Sequence, residues 1–271
     1  MSDKNLEREE VVSEKGGSRL IGRLLPPAVR FYLRSQVDQA EQLTIDLDGR
    51  DRQIITGYLP GVSVSARQVI YDGIHVDAVQ LSAKGIRINV GQIIRGKPLR
   101  LLKSFPVAGQ ISLRQADLDA SLRSPLLKEG LLNFWRSLIQ IPAVAQDIEL
   151  RYGRLPVQAD VSLLEPTIRL GQGCLGFSFY PATSKNSIAD FPVVLATQLS
   201  ISAGQYLLLT SPVWLSHIDE FDDYVVSDAE VGNVSELLEG FKWDLGEDTE
   251  LTQLDIQPSQ LACCGQVLVR P

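Results

Sequence analysis

Gly171-Gln172-Gly173-Cys174-Leu175-Gly176 has the GxGxxG spacing of a dinucleotide-binding loop. That chemistry needs a helix N-terminus directly after the loop to hold a pyrophosphate. Here Phe177, Phe179, Tyr180 and Pro181 follow, so the stretch reads as a strand or turn. His75 stands between Ile74 and Val76 on the polar side of a strand pattern, and His217 precedes an acidic stretch. Neither has the partner that nucleophilic or zinc chemistry requires. Asp219, Glu220, Asp222 and Asp223 offer the oxygen ligands that Ca²⁺ prefers, but without the spacing or glycine of a calcium loop, and read as a solvated acidic loop. Cys174, Cys263 and Cys264 are odd in number, lack ligand spacing, and read as reduced thiols of a cytosolic protein. The sequence has no GxSxG, no HExxH and no paired CxxC, and only two histidines. We therefore assign no catalytic residue, no metal site and no cofactor.

The basic residues are more informative. Arg19, Arg23, Arg30 and Arg34 would share one arc of a helix from Ser18 to Gln39, broken or kinked at Pro26-Pro27, with Ile21, Leu25, Val29 and Tyr32 on the other side. An amphipathic helix laid on a sheet with its arginines in water accounts for this pattern; contact with anionic lipid is the other reading. A second basic region favours the lipid. No acidic residue occurs from Ala78 to Ala116, where Lys84, Arg87, Arg95, Lys97, Arg100, Lys103 and Arg114 carry +7. Arg95, Lys97, Arg100 and Lys103 surround a turn at Gly96-Lys97-Pro98, beside Ile93, Ile94, Leu99, Leu101 and Leu102, as in a loop that touches head groups. The net charge of −7 conceals this, because residues 18–212 balance at +6 and residues 213–258 at −12. Segregated charge lets a positive face meet phosphate while the acidic segment faces away from an anionic bilayer; bulk nucleic-acid binding does not fit.

These residues need a β-rich scaffold. With 44% hydrophobic and 22% charged residues, the 271-residue chain is neither disordered nor collagen-like. Leu43, Ile45 and Leu47 alternate with polar residues, and Asp48-Gly49 and Asp72-Gly73 are hairpin signals. Val62, Val64, Ile74, Val76, Ile86, Ile88, Val90, Val107, Ile111 and Leu113 continue the alternation, predicting an antiparallel meander over residues 41–113 with one buried face. Ser124-Pro125 starts a helix with Leu127, Leu131, Phe134, Trp135 and Leu138 on its apolar face, ended by Ile141-Pro142. Strands are expected again at Asp147–Tyr152 and Val157–Leu163. The stretch from Phe191 to Ile218 has no acidic, lysine or arginine side chain. It reads as two buried strands around an Ala203-Gly204 turn, not a membrane span. A last helix is expected from Val231 to Trp243, and Gln266–Arg270 is expected to close the sheet. Residues 1–17 read as a disordered leader without the apolar stretch of a secretory signal, and residues 18–271 as one domain.

Leu24-Leu25-Pro26-Pro27, Tyr32-Leu33-Arg34-Ser35-Gln36-Val37, Gly49-Arg50-Asp51-Arg52-Gln53, Leu59-Pro60-Gly61-Val62, Gly85-Ile86-Arg87 and Arg95-Gly96-Lys97-Pro98-Leu99 occur in an order that resembles the LmeA-like phospholipid-binding family, in its form common in photosynthetic bacteria. The resemblance covers about residues 18–270. It implies an α+β, tubular lipid-binding-like fold, a curved antiparallel sheet wrapped with helices around a long apolar cavity. The expectation is non-catalytic binding of a phospholipid or glycolipid, with Leu24, Leu25, Val29, Tyr32, Leu131 and Trp135 on the chains. Arg19, Arg23, Arg30, Arg34, Arg95, Lys97, Arg100 and Lys103 would meet head groups on the inner, cytoplasmic face of a membrane. The alternative is a membrane-associated scaffold or assembly factor whose sheet is filled by its own side chains.

Overall fold

The structure, a computed structural model, describes residues 27–29, 31–32, 34–35, 37–49, 53–54, 56–152, 161–183, 191–226 and 235–271. It is an α+β fold of two antiparallel sheets. One has six strands in the order β1 (Gln39–Asp48), β2 (Tyr58–Tyr71), β3 (Ile74–Arg87), β4 (Phe105–Arg114), β11 (Gln260–Val269), β10 (Thr249–Gln257). The other has five strands in sequence order: β5 (Val161–Leu170), β6 (Cys174–Thr183), β7 (Val193–Ser202), β8 (Tyr206–Leu215) and β9 (Lys242–Asp244). Besides helical residues next to undescribed positions, the described residues include the helices α1 (Val90–Ile93), α2 (Gln115–Ser121), α3 (Pro125–Ile139), α4 (Pro142–Tyr152) and α5 (Phe221–Val226). The five-stranded sheet is thus inserted between β4 and the β10–β11 hairpin that completes the first sheet.

The expected meander is present as β1 to β4, with a loop at 88–104 between β3 and β4. Asp72-Gly73 and Ala203-Gly204 have positive φ at both positions, 51° and 76°, and 52° and 72°, the conformation that matches a two-residue turn to strand twist. Asp48-Gly49 does not make such a turn: Asp48 pairs with Gly61, and residues 53–54 of the connection are helical. Val90 opens α1 instead of continuing a strand. Residues 27–29, 31–32 and 34 are helical, but Gln39 already belongs to β1. The leader at 1–17 lies outside the described residues.

Residues 147–152 are helical, contrary to their alternating pattern. Pro142 fits the first helical turn, Val144 and Ile148 bury one side four residues apart, and Arg151 Nε meets Asp147 Oδ1 at 3.1 Å across one turn. Ser124 caps α3 as expected, its Oγ accepting from Leu127 N–H at 3.0 Å. The C-terminal helix is also corrected. Residues 236–240 form turns and Trp243 pairs with Leu207 in β9, while 231–234 lie outside the described residues. β5 begins at Val161, so 157–160 are likewise outside. The last strand, β11, is internal to its sheet, paired on both sides.

The GxGxxG stretch is a hairpin turn with a packing duty. Gly173 has φ +70°, and its N–H donates to Ile256 O at 2.9 Å, tying the turn to β10. A Cβ on Gly171 would stand 2.6 Å from Cys174 Sγ and 3.1 Å from Phe221 Cζ, and one on Gly176 would stand 2.7 Å from Phe221 Cδ2. The two glycines seat the buried ring of Phe221. Gly176→Ala should lower stability by about 2 kcal/mol, a typical overpacking cost, in chemical denaturation; a wild-type midpoint would show that Phe221 is not so confined.

The two sheets meet at α2. Gln115 Nε2 donates to Ile168 O at 2.7 Å and its Oε1 accepts from Leu170 N–H at 3.0 Å, joining α2 to β5. Arg114 Nε lies 3.2 Å from Asp77 Oδ1 and 3.0 Å from Asp117 Oδ2. Ser121 Oγ donates to Asp117 O and accepts from His75 N–H. Burial by itself would raise the Asp117 carboxyl, but hydrogen bonds from the Arg114 side chain and backbone outweigh it and hold it below the ordinary carboxylate range. This stabilisation is complete above the unfolded value of about 3.9 and is lost as pH falls through the folded value. Thermal unfolding followed downward from pH 5 should therefore show a steeper loss for the wild type than for Asp117→Asn; parallel curves would remove Asp117 from the joint.

Candidate functional site

Cross-strand partners project to the same side of a sheet, so the registers assemble its two faces. On the inner face, one row runs Ile45, Val64, Leu81, Gly109, Gly265, Leu251, and the next Ala66, Val79, Ile111, Cys263, Leu254. At one end this face is covered by a cluster of Val29, Leu59, Val62, Ala83, Ile86, Ile88, Val90 and Phe105, against which Val107 and Val269 pack. At the other end Leu254, Ile256 and Leu261 join the cluster formed by α3, α4 and the five-stranded sheet. Between them Val79, Leu81, Ile111 and Leu251 are half-buried and belong to neither cluster. Gly109 and Gly265 are paired there, and Leu81 leans over the first: a Cβ on Gly109 would stand 2.7 Å from Leu81 Cδ2. A Cβ on Gly265 would stand 2.5 Å from Glu250 O, so both glycines are closely covered and the middle of the face is a half-buried apolar band, the inner trough. Leu261 and Val269, which pack against the two clusters, are about 27 Å apart at ~3.4 Å per residue.

The outer face is polar. An open groove of about 790 Å³ is lined by Asp46, Ser63, Ser65, Gln80, Ser82 and Gln110, and also by Val64, Leu81, Gly109 and Gly265 of the first row. Its side chains on this face offer hydroxyl and carboxamide groups, beside apolar surface at the strands it shares with the first row.

The loop at 88–104 carries the basic turn. Asn89 is buried, its Oδ1 accepting from Arg100 N–H at 2.7 Å and its Nδ2 donating to Pro98 O at 3.0 Å. Ile88 bridges Leu101, and Leu102 N–H donates to Arg87 O at 2.9 Å, closing the loop at its base. Arg95, Lys97, Arg100 and Lys103 are exposed, and none forms an ion pair with a described residue. Arg87 stacks over Tyr58 at 4.7 Å, and Arg114 is held at the α2 joint.

The remaining expected site residues fall into three groups. Arg19, Arg23, Leu24, Leu25 and Arg30 lie outside the described residues. Val29 is buried in the cluster that Ile93, Leu99 and Leu101 of the basic loop also touch, with Tyr32 half-buried and Arg34 exposed on the same helical segment. Leu131 and Trp135 are buried in the other cluster, Trp135 edge-on to Phe179 at 4.9 Å. Sequence reading missed Val79, Leu81, Gly109, Leu251 and Gly265, because the β4–β11 pairing that unites them joins distant segments. It also missed Asn89, whose polar type next to Ile88 and Val90 was the available signal.

Other candidate chemistry is dispersed. His217 precedes a 3₁₀ turn over Ile218–Glu220, Glu220 Oε2 accepts from Ser216 N–H at 3.0 Å, and Arg169 approaches Asp219 at 3.8 Å. All three cysteines are free thiols. Among the described residues no three His, Cys, Asp or Glu side chains gather as a metal site, and no helix is long and apolar enough to cross a membrane.

Comparison with curated proteins and with solved structures gives no match. A family model described as LmeA-like phospholipid-binding matches residues 16–266, which takes in both sheets, the apolar trough and the basic loop. The chain belongs to the LmeA-like phospholipid-binding family.

Proposed function

We propose that this phospholipid-binding protein carries a phospholipid or glycolipid with its acyl chains along the inner trough, moves it without catalysis, and docks reversibly on the anionic inner face of a membrane. The observation that carries this reading is the half-buried apolar band of Val79, Leu81, Ile111 and Leu251 between two packed clusters. A half-buried apolar strip gains from a chain laid on it, at about 0.8 kcal/mol per CH₂ fully buried. Docking is the weaker term. Each base near an anionic surface contributes about 1 kcal/mol, which a few exposed bases turn into a transient encounter. Arg34, Arg95, Lys97, Arg100 and Lys103 supply this contact, joined by Arg19, Arg23 and Arg30. The acidic segment at 213–258 faces away from the bilayer.

Neighbouring thiols allow a direct test. Cys263 projects into the trough row and Cys264 into the outer groove, while Cys174 is buried. Burial pushes the Cys263 thiol up, slowing its reaction before any lipid is present. In Cys264→Ser protein, loading with phosphatidylglycerol should slow maleimide labelling of Cys263 several-fold; in Cys263→Ser protein, labelling of Cys264 should be unchanged. Native mass spectrometry confirms loading. Bound lipid without protection of Cys263 places the chains elsewhere, and no bound lipid at all favours the scaffold.

A further inference from the structure

We propose that the loop at 88–104 enters an anionic bilayer with Ile94 and Leu102, so that docking is an apolar insertion steered by charge and not charge contact alone. The inference rests on the docking reading above and specifies its partner as the boundary between head groups and acyl chains. Two adjacent pairs carry it. Ile93 packs against the cluster under the loop while Ile94 is 52% exposed; Leu101 packs against the same cluster while Leu102 is 56% exposed. In each pair the core takes one apolar side chain and leaves the next in water, so the demand for a core explains only half of them.

Their surroundings have the composition of an interfacial contact. Arg95 and Lys97 follow Ile94, Arg100 and Lys103 flank Leu101-Leu102, and all four bases are exposed. Lysine and arginine beside a buried apolar edge keep their charged ends at the phosphate level. Phe31, 78% exposed, sits on the helical segment whose Val29 belongs to the cluster beneath this loop, so a third large apolar side chain accompanies the same end of the sheet. Asn89 holds the loop in shape through Pro98 and Arg100, so little ordering remains to be done on contact.

The test uses the full chain with phosphatidylcholine vesicles containing phosphatidylglycerol, floated at low and high salt, beside lipid loading by native mass spectrometry. Ile94→Ser/Leu102→Ser should lower vesicle partition roughly tenfold or more, about 1.4 kcal/mol, at both salt concentrations, with loading and melting temperature unchanged. Arg95→Gln/Lys97→Gln/Arg100→Gln/Lys103→Gln should lose partition mainly at low salt, where charge is unscreened. If the glutamine variant loses binding and the serine variant does not, docking stands and insertion is overturned. If both bind as the wild type does, the docking reading fails and this inference with it. A separate variant, Ile94→Trp, should shift its emission to the blue on these vesicles; an unshifted spectrum overturns insertion whatever the flotation shows.

Discussion

A sheet whose apolar face is longer than its covers dominates this molecule. β2 and β3 have 14 residues each, about 45 Å at ~3.3 Å per residue, well beyond the usual strand. Helical residues near the N-terminus and the basic loop cover one end, and the five-stranded sheet with α3 and α4 covers the other. Among the described residues, the face between them is neither sealed by a third cluster nor polar enough to belong in water. Bulges in the β1–β2 pairing at Gln42 and Gln68, both with positive φ inside strands, add twist to this long sheet.

Charge is arranged along this long axis. The basic loop is at the end where β3 finishes and β4 begins, whereas the Arg114–Asp117–Asp77 joint is at the opposite end of β4. Bases at the first end lack acidic partners among the described residues; the base at the second is paired and serves structure. Paired and unpaired bases within one acid-free stretch therefore do different work, a distinction that composition alone conceals.

Much of the fold was legible where the signal is local. The Asp72-Gly73 and Ala203-Gly204 turns, the Ser124 cap and the strands around Val193 and Leu207 each depend on a few neighbouring residues, and each is present. Two local signals misled. Alternation at 147–152 is what a short helix also shows when Asp147 and Arg151 pair across its turn, and Asp48-Gly49 is a turn dipeptide used in a longer connection. The trough was not legible, because Gly109 and Gly265 are ordinary strand glycines until β4 lies beside β11. The basic loop was legible in its charges but not in its shape, which Asn89 sets by bonds to residues nine and eleven positions away.

The insertion of the second sheet also imposes an order in time. During synthesis β1 to β4 emerge first, and β4 waits for β11 until about 150 further residues have been made, on the order of ten seconds or more at common elongation rates. For that interval the edge of β4, with Val107, Ile111 and Leu113, is an unpaired template able to join other chains. The nascent chain thus spends its riskiest period with its longest apolar face exposed and its last ladder missing. Any lag in making β11 lengthens that exposure, because its pairing with β4 is what covers this edge.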